Sequence, residues 1–222
     1  MADAGNTAAT EQDLPQQAGP GRPPSTTRRH LQDIAIEMFS TQGYDEVTIE
    51  ALAAAAGISR RTFFRYFSSK ADALMADFDE DVERLRAVLA GSNPDLPLMD
   101  AIRTAVVEVN DYHADDLDRL RQRLLLQHSN PALLANGILH YEEWQAVIAE
   151  FAAGRLGRQP GDLLPQVIAR SVFGAAYAGF ASWLADERGD LSPRLDDALR
   201  AMPEAFQARP AAASRRSPRA GL

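Results

Sequence analysis

Paired arginines and aromatic residues occupy a short stretch, residues 57–70, at spacings that suit contact with DNA. Ser59 can accept a hydrogen bond from an unpaired backbone N–H, so a helix is predicted to begin directly after it. Phe63 and Phe67 are four residues apart and should share the buried side of that helix. The remaining side chains are charged or aromatic and should face outward: Arg60, Arg61, Phe64, Arg65 and Tyr66. Because a guanidinium can donate to both major-groove acceptors of guanine, the stretch predicts a helix that enters a DNA groove.

The residues before this stretch complete a helix-turn-helix unit over residues 26–70. Thr48 is predicted to cap a second helix that carries Glu50 in its first turn and stops at Gly57. Apolar residues at helical spacing over residues 28–42 predict the third helix that closes the core of such a unit. The alternative is that the arginines only form a solvated helix face, but the exposed aromatic residues beside them disfavour it.

Residues 28–78 resemble the N-terminal DNA-binding domain of the TetR family of one-component regulators. The resemblance rests on Phe39, Gly43-Tyr44, Thr48, Ile49, Leu52-Ala53, Ala56-Gly57-Ile58-Ser59, Thr62-Phe63-Phe64-Arg65-Tyr66-Phe67 and Ser69-Lys70. The form of residues 60–67 is also similar to the subgroup that includes the mycofactocin-system regulators. The resemblance implies an all-α fold, in which an N-terminal three-helix helix-turn-helix domain joins an α-helical ligand-binding and dimerisation domain. It further implies a homodimer that represses by binding a palindromic double-stranded DNA operator and is released by a small hydrophobic effector, such as a long-chain acyl thioester.

The resemblance also implies a role for each DNA-facing residue. Those expected to face base edges are Arg60, Arg61 and Phe64. Those expected to hold phosphates are Thr62, Arg65, Tyr66 and Lys70, and the DNA-binding set also includes Arg28, Thr48 and Ser59. Glu50 departs from family members that carry a basic residue there. It could accept a hydrogen bond from cytosine N4, or it could simply favour the helix N-terminus.

Charge is distributed unevenly along the 222 residues, whose formal net charge is −8. Residues 22–70 carry seven basic and five acidic side chains, whereas residues 71–222 carry 16 and 23. The helix-turn-helix end is therefore locally basic, and the acidic remainder should be repelled by DNA. Arginine enrichment itself has little weight, because Lys70 is the only lysine in the chain.

The composition excludes several classes of site. No cysteine is present, so disulfides, thiolate zinc sites and cysteine nucleophiles are excluded. No apolar run approaches about 18 residues and no charged-then-apolar leader begins the chain. Neither a membrane span nor secretion is therefore expected, the expected location is the cytoplasm, and no cofactor or metal is expected.

Beyond the helix-turn-helix unit, the patterns predict helices and no strands. A capping-box-like Ser69 should open a helix over residues 69–89, which links the unit to an effector-binding and dimerisation domain over residues 71–208. The later helices are predicted over residues 98–113, 116–128, 131–156 with a soft interruption at Gly137, 163–187, and from Ser192 to a bend or end at Pro203. Residues 1–25 and 209–222 are predicted to be disordered, and the first of these arms could lie along DNA.

Aromatic and leucine residues on the middle helices predict an apolar wall around a ligand. The expected pocket residues are Asn110, Arg123, Gln127, His128, Tyr141, Trp144, Phe173 and Tyr177. The alternative is that these residues are ordinary core in a DNA-binding protein without an effector. A cavity of roughly a few hundred cubic ångströms would favour a sensor, and complete packing would favour the alternative.

Small residues alternate with aromatic ones over residues 173–183 and would let another helix approach closely. The family resemblance makes the last two helices a dimer interface. Its expected residues are Gly174, Ala178, Phe180, Ala181 and Trp183. The alternative is a monomer that packs this helix inside its own core.

An enzyme is the competing class, and its best support is His113 among the carboxylates of residues 111–116. The other histidines lie far away in sequence, and no nucleophile elbow, phosphate loop or HExxH motif occurs. No catalytic residue is therefore expected.

Overall fold

A computed structural model describes residues 27–186 and 189–207, and helices are the only regular secondary structure within them. In chain order the α-helices are α1 (Arg28–Gln42), α2 (Ile49–Ala55), α3 (Arg60–Tyr66), α4 (Phe78–Ala90), α5 (Leu98–Val109), α6 (Ala114–Ser129), α7 (Pro131–Leu156), α8 (Leu163–Ala185) and α9 (Leu191–Gln207). We call α1–α3 the head and α4–α9 the body. The all-α prediction is confirmed. The predicted arm at residues 1–25, the predicted tail at residues 209–222 and the predicted helix end at Glu187 lie outside the described residues.

The head is a three-helix unit closed around one apolar core. Thr27, Thr48 and Ser59 cap α1, α2 and α3, because each side-chain oxygen accepts a backbone N–H of the first turn. Gly57 has a φ of 65°, which a residue with a side chain rarely adopts, and it turns the chain between α2 and α3. The largest buried side chains of this core are Leu31, Phe39, Leu52, Phe63 and Phe67. The core therefore fixes the outward face of α3.

A short 3₁₀ turn, Asp72–Met75, connects the head to α4, and we call it the linker turn. The capping box predicted at Ser69 forms: the Ser69 N–H donates to Asp72 Oδ2 at 2.9 Å, and the Asp72 N–H donates to the Ser69 hydroxyl at 3.2 Å. The prediction of one helix over residues 69–89 is nevertheless wrong. α4 begins only at Phe78.

Side chains from α1 explain this break. Gln32 donates to the carbonyl of Leu74 at 2.8 Å, and Arg28 donates to the carbonyl of Ala76 at 3.4 Å. These carbonyls are therefore satisfied from the head, whereas a continuous helix would use them itself.

The body is built around a second apolar core to which all six of its helices contribute. α8 lies between α7 and α9, while α4 and α5 pack against each other and against neighbouring body helices. Its most deeply buried side chains include Leu85, Ile102, Val106, Ile148, Val172 and Leu195.

Three predicted features of the body differ from the structure. α5 ends at Val109, not at residue 113, because the Asn110 amide turns back to donate to the Val106 carbonyl at 2.8 Å. α7 is continuous through Gly137, where a Cβ would lie 2.7 Å from Gln127 Nε2, so the glycine makes room for another helix rather than breaking its own. α9 continues beyond Pro203 to Gln207, so the helix does not end at this proline, while the alternative of a bend stays a prediction.

Gly179 sets the close approach of α8 and α9. A Cβ at this position would lie 3.1 Å from the Arg194 carbonyl oxygen and 3.2 Å from Leu195 Cα, both backbone atoms that cannot turn aside. We expect Gly179→Val to lower the free energy of unfolding by about 1–3 kcal/mol through overpacking. The matched control is Gly154→Val in α7, where a Cβ meets nothing within 4 Å. Chemical denaturation of both variants is the measurement, and equal stability would contradict this account of the α8–α9 contact.

Candidate nucleic-acid interface and ligand cavity

The outward face of α3 presents cationic and aromatic side chains on a rigid support. Phe63 and Phe67 are almost fully buried, as predicted, whereas Phe64 is 43% exposed. Arg60, Arg61 and Arg65 are exposed as well. The structure therefore brings together the residues expected to face base edges, on the side of α3 away from the head core.

Glu50 on α2 forms an ion pair with Arg60, with 3.0 Å between Glu50 Oε1 and Arg60 Nε. The Arg60 guanidinium also lies over the Phe64 ring, 5.3 Å from its centroid. Neither of the two roles considered for Glu50 included this pair. Its consequence is that a carboxylate lies beside one of the three cations of α3, although both side chains are mostly exposed and the pair is therefore weak.

Arg61 has no ion pair or ring contact among the described residues, unlike Arg60 and Arg65. Arg65 lies over the Tyr66 ring at 5.3 Å from its centroid. Thr48 and Ser59 use a lone pair of their hydroxyl oxygens to cap helices, and Ser59 also lies 2.9 Å from the Thr62 hydroxyl. Because a hydroxyl has one hydrogen as well as two lone pairs, capping does not use up its ability to donate to a phosphate.

Two residues expected at DNA are instead used inside the fold. The Lys70 ammonium donates to the carbonyls of Tyr44 at 2.6 Å and Val47 at 2.9 Å, and it lies over the Tyr44 ring. Arg28 donates to the carbonyl of Tyr66 at 3.1 Å and pairs with Asp79 in α4. Both side chains therefore hold the loops around α3, a positioning role that was not predicted, and DNA contact by Lys70 and Arg28 stays a prediction.

The body contains an apolar cavity of about 70 Å³ among α4–α8. It is lined by Phe78, Asp81, Val109, Asn110, Tyr112, Leu120, Arg123, Leu124, His128, Tyr141, Trp144, Phe173, Ala176, Tyr177 and Phe180. Every pocket residue predicted from the sequence is among them except Gln127. Phe78 and Asp81 of α4 were not predicted, nor were Val109, Tyr112, Leu120 and Ala176, because their place at the cavity depends on how the helices pack.

Gln127 lies beside the cavity and connects it to the linker turn. The Tyr141 hydroxyl, which lines the cavity, donates to Gln127 Oε1 at 3.2 Å. Gln127 Nε2 in turn lies 3.3 Å from the Met75 sulfur. Gln127 therefore lies behind the cavity wall, where it contacts Tyr141 and Met75, and it does not line the cavity itself.

A histidine–tyrosine pair covers part of the cavity. His128 Nδ1 lies 2.8 Å from the Leu124 carbonyl, which can only accept, so Nδ1 carries the hydrogen. In the neutral ring, Nε2 is then the acceptor for the Tyr177 hydroxyl at 3.1 Å. The two rings are stacked with their centroids 5.7 Å apart. Tyr177 is 39% exposed, so this pair lies between the cavity and the surface of α8.

A second, polar cleft of about 110 Å³ separates the head from the body. Arg29 of α1 pairs with Asp116 of α6, and Arg119 of α6 donates to Asp33 of α1 at 2.6 Å and to Asp116 at 3.0 Å. α6 thus lines the cavity and also holds α1 through charged side chains.

The 111–116 segment, considered above as support for an enzyme, is used for contacts between elements. Asp116 belongs to the ion pairs just described, and the Tyr112 hydroxyl donates to Asp81 Oδ2 at 3.1 Å. Burial raises the pKa values of Asp81 and Tyr112. No three His, Asp or Glu side chains in the described part of the chain form a group that could hold a metal ion.

The predicted interface residues on α8 divide into two groups. Gly174, Ala178 and Ala181 are exposed. Phe180, in contrast, lines the cavity, and Trp183 is 2% exposed beneath the Arg121 guanidinium, so both are corrected to intramolecular roles. α8 is also long and apolar enough, by length and composition, to cross a membrane, a property it shares with core helices.

Comparison with known proteins identifies both halves of the chain. The family model for bacterial regulatory proteins of the tetR family matches residues 31–76, and the model for the MftR C-terminal domain matches residues 96–207. MftR, a mycofactocin-system transcriptional regulator of Mycobacterium tuberculosis, is 35% identical over 186 residues, covering 84% of this chain and 94% of the relative.

Two solved structures share the fold. The SmeT–triclosan complex, of the Stenotrophomonas maltophilia repressor, has a TM-score of 0.58 at 19% identity and covers 80% of this chain and 90% of its own. The fatty acid degradation regulator FadR of Bacillus halodurans has a TM-score of 0.56 at 17% identity, and the match covers 84% of this chain and 96% of the FadR chain.

The Glu50–Arg60 pair leads to a test of the α3 surface. We expect Glu50→Gln to free Arg60, so that affinity for duplex DNA rises and the salt slope steepens by roughly one ion equivalent.

Arg61→Ala should weaken binding to the preferred duplex by about 1–3 kcal/mol and relax the preference at one base pair. Fluorescence anisotropy titrations at several salt concentrations measure both effects.

The control is Glu46→Gln, which removes the same charge from an exposed turn. If both glutamate variants gain the same DNA affinity, the gain comes from the change in net charge and not from the Glu50–Arg60 pair. A loss of affinity in Glu50→Gln, confined to duplexes with cytosine at one position, would identify Glu50 as a base contact instead.

Proposed function

The chain belongs to the TetR family of bacterial regulatory proteins, and from that premise we propose that it is a ligand-responsive repressor. It binds a palindromic operator in the cytoplasm as a homodimer and is released by a hydrophobic effector, such as a long-chain acyl thioester. The observation that carries the proposal is that α6 both lines the apolar cavity and holds α1 of the DNA-binding head.

The α3 surface supports sequence-specific DNA binding. Its free cation, Arg61, and its paired cation, Arg60, project from a helix that the head core holds rigidly, so their positions relative to a groove are preset. Arginine in such a position can bind guanine through two hydrogen bonds. The excess negative charge of residues 71–222 keeps the body away from the phosphates and leaves contact to the head.

The exposed side of α8 supports a homodimer. Leu163 is 80% exposed and Val167 is 49% exposed, and Gly174, Ala178 and Ala181 continue the same face at helical spacing. Arg170 is the charged side chain on this face, and the other residues named are apolar or small, a composition typical of an interface. A two-fold dimer through this face would place two recognition helices on a palindrome, about one DNA turn apart.

We expect Ala178→Glu to give a monomer at micromolar concentration, because the dimer would bury an unpaired carboxylate. Operator affinity should fall with it, since one head contributes only half of the contacts. Sedimentation velocity and an operator titration measure the two effects. Ala90→Glu, on the exposed end of α4, is the control. A variant at Ala178 that remains dimeric would place the interface elsewhere.

The cavity supports an apolar effector, but its size imposes a condition. A volume of about 70 Å³ exceeds that needed for one water molecule and is well below the roughly 300 Å³ of small drug-sized pockets. An effector must therefore enlarge it by moving wall side chains. That small volume is also the observation that favours the second candidate, a DNA-binding protein that responds to no effector.

The contacts of the wall supply a route from effector to head. Moving Tyr141 disturbs Gln127 and, through it, Met75 in the linker turn. Moving α6 disturbs the pairs that Asp116 and Arg119 make with α1. The effector can shift the spacing of the two heads only by its difference in affinity for the two states, typically about 1–3 kcal/mol.

Selection of bound duplexes followed by titration with palmitoyl-CoA separates the two candidates. The repressor predicts a stabilised protein in thermal denaturation and release of the selected duplex. A protein that binds the duplex but shows neither effect with palmitoyl-CoA or with other apolar compounds would support the effector-free candidate.

Tyr141→Phe tests the route itself. It removes the hydrogen bond to Gln127 while leaving the ring in the wall, so we expect palmitoyl-CoA to bind as before but to release the operator only at about fivefold higher concentration. Tyr177→Phe removes a hydroxyl from the same cavity with no link to the linker turn, and it should release normally. Calorimetry and gel-shift titrations give the two quantities, and identical behaviour of both variants would exclude the Tyr141 route.

A further inference from the structure

Arg123 on α6 lies where the apolar cavity and the polar cleft meet. It lines both of them, as do Asp81, Tyr112 and Leu120. The end of the apolar cavity that meets the cleft is therefore polar, and it carries the guanidinium of Arg123 and the carboxylate of Asp81.

Among the described residues that guanidinium forms no hydrogen bond and no ion pair within 4 Å, although the carboxylates of Asp77 and Asp81 interact with its charge over a longer distance. Arg123 Nε is buried without a hydrogen-bond acceptor, and no carboxylate oxygen lies within 4 Å to form an ion pair with Arg123. A guanidinium remains charged at any relevant pH and has five N–H donors. Burying a charged donor without an acceptor is costly, so the buried Nε of this half-buried side chain would gain from an acceptor that a ligand supplies.

The neighbouring charges explain why the position stays unpaired. Asp81 already accepts from the Tyr112 hydroxyl and pairs with Arg84. Arg29 and Arg119, the other cations on α1 and α6 in the cleft, are paired with Asp116 and Asp33. Asp77, at the start of α4, and Glu80 also line the cleft, and neither forms an ion pair with Arg123 within 4 Å. Arg123 is thus the arginine of the cleft that forms no ion pair within 4 Å among the described residues, whereas Arg29, Arg84 and Arg119 each form one.

We propose that Arg123 binds the anionic head group of the effector, a carboxylate or phosphate joined to an apolar chain. The inference rests on the proposed function, because it specifies the ligand of the same cavity. The chain would lie along Leu124, Tyr141, Trp144 and Phe173, which form the apolar wall beyond Arg123. The planar guanidinium can bind either anion through two parallel hydrogen bonds, which a neutral ester cannot match.

Three twelve-carbon probes test this assignment: dodecanoate, dodecyl phosphate and methyl dodecanoate, each titrated calorimetrically below its micelle concentration. We expect the wild-type protein to bind at least one anion about tenfold or more tightly than the ester. A carboxylate preferred over the phosphate indicates a free fatty acid, and the reverse indicates a phosphorylated head group. Equal affinity for the ester and both anions, or binding of none of the three, overturns the proposal.

Arg123→Gln should abolish the preference and leave ester affinity unchanged, whereas Arg123→Lys should retain part of it. The control is Arg86→Gln, which removes an equal charge from the outer side of α4, where Arg86 pairs with Glu83 and Glu150. A preference that survives Arg123→Gln also overturns the proposal. If Arg123→Gln does not fold, the proposal is still tested by the anion preference of the wild-type protein and by its partial loss in Arg123→Lys.

The outcome is separable from that of the proposed function. Operator release by palmitoyl-CoA without any anion preference would leave the repressor standing and remove the role of Arg123. An anion preference that depends on Arg123, without operator release, would support the role of Arg123 and remove the proposed repressor function.

Discussion

Four consecutive buried residues, Ala73–Ala76, are divided between two hydrophobic cores, and the relation of head to body depends on them. Ala73, Leu74 and Ala76 belong to the head core, while Met75 belongs to the body core. Leu133 of α7 reaches into the head core as well. Because packed cores have little free space, a displacement of Met75 must also move its neighbours in the head. The linker turn is therefore a rigid joint and not a flexible tether.

Polar contacts reinforce this joint at the same place. Asn136 of α7 donates to Asp72 at 2.7 Å, and Gln32 of α1 donates to the carbonyl of Leu74. The body and the head therefore both form hydrogen bonds with the linker turn. Ion pairs between α1 and α6 form a second connection some distance away. Two separate connections constrain the head to a few orientations, which is the property that a spacing-dependent DNA reader needs.

The sequence predicted local features well where the determinants are local. Caps at Thr48 and Ser59 and the buried pair Phe63 and Phe67 depend on residues within one or two turns. The break before α4 could not be predicted, because it depends on Gln32 about forty residues away in sequence. The same limit applies to Lys70, whose contacts with the carbonyls of Tyr44 and Val47 join residues more than twenty positions apart. Arg123 was predicted as a pocket residue, but its lack of a partner is visible only in three dimensions.

The central claim is that effector binding changes the spacing of the two heads. The chain has no cysteine, so Glu37→Cys on the exposed side of α1 gives one spin label per protomer. Electron–electron double resonance then measures the distance between the two labels in the dimer, with and without palmitoyl-CoA. The account predicts a distance distribution that moves to a new mean when the ligand binds. An unchanged distribution, under conditions where calorimetry shows palmitoyl-CoA to be bound, would contradict it.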